Sequence, residues 1–181
     1  MIACMVGAGG EIGKDLAAER TAEIMCLARR LTRTDHNAIG LLPLHKCLSL
    51  TELARSLAQA VAALGERVAV LSPEWRAPTA PPHTPPLVHV PSGAWTEVYL
   101  PGPPSARPCL DLEFATEWLR PRYQRVIVDT GFAPPAEQAS LLALLDGVLL
   151  AARPGGASEF RLALLARRLK PQQRLGVLLL D

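Results

Sequence analysis

The sequence predicts an α/β fold, a three-layer sandwich with a mostly parallel central sheet. Three observations carry this prediction. Short, continuously apolar runs such as Arg125-Val-Ile-Val-Asp129 read as strands buried on both faces. Longer segments between them repeat their apolar residues at helical spacing. The two kinds alternate over most of the segment from about Ala38 to Asp181, which lets helices carry the chain back for parallel pairing.

Met1 to Val6 is apolar but short, and residues 1–14 are expected as a loop. Asp15 to Arg33 reads as a helix with Leu16, Ile24, Leu27 and Leu31 on one stripe. Arg29, Arg30 and Arg33 gather at its end, where the helix dipole favours cations. Ala38 to Leu42 is a buried strand. Ser49 to Leu64 is the most regular helix of the chain, with Leu50, Leu53, Ala54, Leu57, Ala58, Val61 and Ala62 on one face and Gly65 ending it. Ser49-Leu-Thr-Glu52 has the pattern of a capping box, with Ser49 expected to cap a helix that starts at Leu50.

Arg67 to Leu71 is the next strand. Residues 76–108 hold most of the 17 prolines, which neither donate to a ladder nor sit inside a helix. This region is read as two loops flanking a short strand pair, Leu87–Val90 and Glu97–Leu100. Regular alternation then resumes. Leu110 to Leu119 is a helix, Arg125 to Asp129 a strand, and Pro135 to Leu145 a helix with proline in its first turn. Val148 to Ala152 is a strand, Ser158 to Leu169 a helix halted by Pro171, and Leu175 to Leu180 a strand. There is no internal repeat.

A chain of 181 residues can fill a single domain, taken here as 1–181. Hydrophobic residues make up 49% but aromatics only 4%, so its core rests on aliphatic side chains. Lys and Arg total 19 against 17 Asp and Glu, and this balance gives no electrostatic case for nucleic acid or an anionic membrane. Cys4, Cys26, Cys47 and Cys109 are scattered, which fits reduced thiols in the cytoplasm better than a disulfide framework. No apolar run approaches the length of a membrane span, and the N-terminus lacks the basic start of a signal peptide.

One motif carries chemistry. Gly40-Leu-Leu-Pro-Leu-His-Lys46-Cys47 lies between a strand and a helix, which is the context of the phosphate-binding loop G-x-x-x-x-G-K-[ST]. Here His45 replaces the second glycine and Cys47 the magnesium-binding hydroxyl. Further on stand Gly65-Glu-Arg-Val-Ala-Val-Leu-Ser-Pro-Glu-Trp-Arg76, Tyr123-Gln-Arg-Val-Ile-Val-Asp129-Thr-Gly131 and Asp146-Gly-Val-Leu-Leu-Ala-Ala-Arg153-Pro-Gly155. In this order the segments resemble the ParA/MinD-type P-loop ATPases, including the bacterial tyrosine kinases (BY-kinases) of polysaccharide export. The resemblance covers most of the chain and implies a P-loop NTPase (SIMIBI-like) sandwich. It marks Gly40, His45, Lys46, Cys47, Glu74, Asp129 and Arg153 as the remnant of a nucleotide site. Lys46 and Asp129 are the catalytic candidates, standing for the phosphate-gripping lysine and the Walker B acid.

The departures are chemical. Pro43 has no N–H to offer a phosphate, and Leu44 and His45 do not adopt glycine-only conformations cheaply. Cys47 offers sulfur where Mg²⁺ prefers oxygen. The acid that the family keeps after the next strand falls at Ser72 or Glu74, and Leu180 stands where the family commonly has a base-contacting asparagine. A cap at Ser49 would also seal the helix end that faces phosphate in an intact loop. The expectation is a pseudo-ATPase with no cofactor, binding ATP and Mg²⁺ only if the altered loop still holds them. By resemblance it would be an adaptor or regulatory subunit of a membrane-associated assembly, such as polysaccharide export. Its partners would be an active paralogue or an assembly component, in a homo- or heterodimer, with no nucleic acid and no membrane insertion. It would sit in the cytoplasm, at the inner membrane through a partner.

The competing expectation is a divergent ATPase or tyrosine kinase that uses Lys46 and Asp129. A weaker one is a Rossmann-type dinucleotide site at Gly7-Ala-Gly-Gly10-Glu-Ile-Gly13, which would need those glycines to follow a central strand. His45 with Cys47, and His83 with His89, lack a second pair to complete a metal site. His36, His45, His83 and His89 have no nucleophile context, and Trp75, Trp95 and Trp118 read as packing or partner-surface residues.

Overall fold

Among the described residues every strand joins one sheet. The computed structural model describes residues 3–6, 13–44, 49–76, 88–101, 108–131, 138–155 and 159–180. In chain order the elements are β1 (Ala3–Val6), α1 (Gly13–Leu31), β2 (Ala38–Pro43), α2 (Thr51–Ala63), β3 (Val68–Arg76), β4 (Val88–Ser92), β5 (Trp95–Pro101), α3 (Pro108–Leu119), β6 (Arg125–Asp129), α4 (Gln138–Leu144), β7 (Gly147–Ala152), α5 (Glu159–Arg168) and β8 (Arg174–Leu180). The sheet order is β1-β8-β7-β2-β6-β3-β5-β4. β4 runs antiparallel to β5, and all other pairings are parallel.

The three layers follow from side-chain alternation. Along the central strands, Ile39, Leu41, Val68, Val70 and Ile127 face α1 and α2, packing on Leu27, Leu31, Leu53, Leu57 and Val61. Their neighbours Ala38, Leu42, Ala69, Leu71, Val126 and Val128 face the other way, onto Leu112, Leu119, Leu141, Leu142 and Leu165 of α3, α4 and α5. A strand loaded on both faces in this manner has no polar side to give to solvent, which is why its sequence reads as continuously apolar.

The predicted α/β sandwich is therefore the fold, with differences at particular elements. The loop expected over residues 1–14 is instead a strand at Ala3–Val6, in register with Val177–Leu180 of β8, and α1 already begins at Gly13. β3 runs on from the expected Leu71 to Arg76, with a register irregularity between Ser72 and Trp75. The proline-rich region keeps its strand pair, joined through Gly93 at φ 71°, a conformation cheap only for glycine. The two flanking loops, 77–87 and 102–107, lie outside the described residues.

The capping prediction is corrected. α2 starts at Thr51, its N-cap is Leu50, and no side chain caps it. Ser49 is exposed, and its hydroxyl lies 3.4 Å from that of Thr51. The reason is burial: Leu50 is 1% exposed in the core under α2. Burying a leucine is worth about 1.5–3 kcal/mol, against about 1 kcal/mol for a serine cap. Anchoring Leu50 wins, and Ser49 does not seal the helix end.

Candidate functional site

β2 lies between β7 and β6, and the chain leaves β2 and β6 in opposite directions along the sheet. From β2 it passes through α2 to β3 on one side; from β6 it passes through α4 to β7 on the other. The carboxyl end of β2 is thus the point at which an open parallel sheet forms its crevice. Three of the predicted remnant residues meet near it. Gly40 pairs with Val128 and Val148, Asp129 ends β6 beside Leu41, and Arg153 follows β7, exposed. His45, Lys46 and Cys47 lie outside the described residues, as do Gly7 to Glu11.

Gly40 itself is not a loop glycine. It lies inside β2, buried, with the strand continuing through Leu41, Leu42 and Pro43 against Leu149, Leu150 and Ala151 of β7. The backbone N–H of Leu44 extends the ladder, donating to Ala151 O at 2.8 Å. A phosphate-cradling loop needs those N–H groups pointing inward at an anion. Here the sheet holds them. The glycine has a packing reason instead: a Cβ on Gly40 would sit 2.4 Å from Leu145 Cδ1.

Asp129 is 3% exposed, and both of its oxygens have partners. The Thr51 hydroxyl donates to Oδ2 at 3.2 Å, and the Gly131 N–H donates to Oδ1 at 3.0 Å. Thr130 closes the turn by donating its hydroxyl to Leu41 O at 2.9 Å, which ties the end of β6 to β2. The acid is held as a structural node between α2 and the β6 turn. Glu74 falls in β3, and Ser72, one of the two positions considered for the family's acid, is fully buried. Leu180, at the position of the family's asparagine, ends β8 and packs in the core.

A polar seam went unread in the sequence. Thr51, Arg55 and Gln59 stand one turn apart along α2. Thr51 meets Asp129, Arg55 meets Glu97 and Tyr99 of β5, and Gln59 Oε1 accepts the Trp95 indole N–H at 3.1 Å. Glu97 is 5% exposed, and its Oε1 lies 2.8 Å from an Arg55 terminal nitrogen. The hydrogen bond to Glu97 first, then those to Glu52 and Tyr99, hold the Arg55 pKa above its ordinary value despite the opposing effect of burial. The i, i+4, i+8 spacing was visible, but it was masked by the stronger apolar stripe beside it.

The glycine-rich segment at Gly7–Gly13 fails the topological requirement for a dinucleotide site. The strand ahead of it, β1, is at the edge of the sheet and not at its centre. Among the described residues no group of three His, Cys, Asp or Glu side chains could hold a metal ion, and no helix is long and apolar enough to cross a membrane.

No protein-family model matches the sequence, and neither does any curated protein. Solved structures do match its shape. The BceF tyrosine kinase domain superposes with a TM-score of 0.62 at 17% identity, covering 96% of this chain and 81% of that one. The kinase domain of the Escherichia coli tyrosine kinase ETK gives 0.68 at 19%, with 90% and 74% covered. The chimerical protein CapA2B2 gives 0.70 at 14%, with 97% and 91% covered. At such identities the likeness establishes architecture alone: the chain shares the overall fold of these solved structures, an α/β sandwich around a mostly parallel sheet.

Proposed function

We propose that this chain is a non-hydrolysing protein on the ParA/MinD-like P-loop fold, one that acts by binding other proteins. Its role would be that of an adaptor or regulatory subunit of a bacterial membrane-associated assembly, with polysaccharide synthesis or export as the setting that the resemblance to BY-kinases suggests. The observation that supports the loss of hydrolysis best is the engagement of residues 41–44 in the sheet. Leu44 donates to Ala151, Pro43 has no N–H, and the strand runs through the positions where a phosphate loop would open. Asp129 adds weight, since its oxygens already accept from Thr51 and Gly131.

The partners would be an active paralogue or a component of the assembly, met through a homo- or heterodimer. Titration calorimetry with Mg²⁺·ATP, run beside a phosphate-release assay, tests the reading. The expected result is no heat of binding at micromolar ligand and no turnover. Micromolar affinity that disappears in Lys46→Ala would overturn it. The competing reading, a divergent ATPase or tyrosine kinase using Lys46 and Asp129, would then stand.

A further inference from the structure

The even balance of charges along the chain conceals a one-sided distribution in space. Five strands, β8, β7, β2, β6 and β3, are consecutive in the sheet and present their amino ends on one side. The loops that feed them are bonded into a single surface. Asn37 Nδ2 donates to Tyr123 O at 2.8 Å and to Gln124 O at 3.0 Å, the Arg67 N–H donates to Gln124 Oε1 at 2.7 Å, and His36 Nε2 lies 3.1 Å from Gln172 O. At ordinary strand spacing this surface is about 20 Å broad.

Its charge is almost all of one sign. Arg29, Arg30 and Arg33 end α1, and Arg67 and Arg122 precede β3 and β6; all five are exposed. Arg167, Arg168, Lys170 and Arg174, exposed as well, surround the turn into β8. Two further cations are matched, Arg120 by Asp146 and Arg125 by Glu66. Among the described residues, nine exposed cations here stand against two exposed acids, Asp35 and Glu117. This end therefore carries an excess of seven positive charges in a chain whose total is +2, which leaves the rest of the molecule acidic.

We propose that this face docks directly on an anionic lipid bilayer. A fluid bilayer lets phosphates move to cations wherever the cations stand, so side chains from separate loops can all be met at once. The alternatives fit less well. Protein interfaces are built around a fully desolvated core of aromatic and aliphatic anchors. Leu64 is the one large exposed hydrophobic of this end among the described residues. Nucleic acid offers its phosphates at a fixed spacing along a line, whereas these cations stand on separate loops spread over the whole surface. Trp118, with the Arg122 guanidinium 3.8 Å over its ring, adds the amphipathic aromatic that favours a lipid interface. In this orientation the carboxyl end of β2 points away from the bilayer. The inference does not depend on whether that end binds nucleotide.

Co-sedimentation of the full chain with phosphatidylcholine vesicles, with and without phosphatidylglycerol, tests the proposal. Binding is expected only with phosphatidylglycerol, and it should vanish as salt rises from about 0.1 M to about 1 M and the screening length falls from about 10 Å to about 3 Å. R33E/K170E should weaken partitioning by about thirtyfold or more, while R20E, an exposed charge reversal midway along α1, should leave it unchanged. Circular dichroism confirms that each variant is folded. The proposal is overturned by absence of vesicle binding at low salt, by equal binding to neutral vesicles, or by full binding of folded R33E/K170E. Retention on poly-glutamate or duplex DNA without vesicle binding would also overturn it and assign the face to a polymer.

Discussion

Removing either member of the Arg55–Glu97 pair should have very different costs, because the two side chains are not equally buried. The Glu97 side chain is 6% exposed and that of Arg55 30%. Arg55→Leu would strand a carboxylate inside the layer between α2 and β5, and breaking a buried pair in this way costs about 3 kcal/mol. Glu97→Leu leaves a guanidinium that keeps its 2.7 Å contact with Glu52 and can turn toward water. That change should cost about 1 kcal/mol, because the position itself accepts an apolar side chain. The double variant R55L/E97L should lie near E97L, since replacing a buried ion pair by apolar groups of similar volume is often close to neutral. Urea unfolding followed by circular dichroism measures all three, and Arg55→Leu alone should lower the melting temperature by about 6–12 °C. A cost for E97L equal to or above that of R55L, or strict additivity in the double variant, would refute the assignment of Glu97 as the buried partner held by Arg55.

Other perturbations read out the same packing. Gly40→Ala should destabilise by about 2 kcal/mol, since its Cβ meets Leu145, which is 2% exposed and cannot leave the core. Gly147→Ala meets Leu175 at the same 2.4 Å, but Leu175 is only partly buried and can swing aside, so its cost in the same urea assay should be smaller. Asp146→Ala frees the N–H groups of Asn37 and Ala38, each 2.9 Å from its Oδ2, and the guanidinium of Arg120. A loss of about 2 kcal/mol is expected, with faster amide exchange confined to the start of β2. Thr51→Val removes a donor from Asp129 and should cost about 1 kcal/mol by chemical denaturation.

The elements legible in the sequence were those whose two faces agree. β2, β6 and β7 are buried throughout, so their apolar runs left no second interpretation. The start of α2 was misread because a local motif, Ser49 to Glu52, competed with the burial of Leu50, and burial is visible only in three dimensions. β1 was missed for a similar reason: four residues are too few to show a period, and their pairing with β8 is a contact across nearly the whole chain. At the site, the sequence placed Asp129 correctly at the end of β6. The partners of Asp129 and the continuation of β2 past Gly40 depend on register, which spacing along the chain does not encode.

The segments that carried the resemblance turn out to have structural work of their own. Asp146, which opens the Asp-Gly-Val-Leu-Leu run, accepts the N–H of Asn37 and that of Ala38, the first residue of β2, and pairs with Arg120. Gly147 leaves room for Leu175. Asp129, Thr130 and Gly131 fasten the end of β6 to α2 and to Leu41. Each of these residues would be needed for this sheet to close even if no phosphate ever bound. The phosphate loop differs in kind, because its glycines and hydroxyl serve the ligand and little else, and that is where this sequence has changed. The motif matches therefore testify to architecture and not to chemistry. The test of activity lies in the four residues from His45 to Leu48, between the end of β2 and the approach to α2.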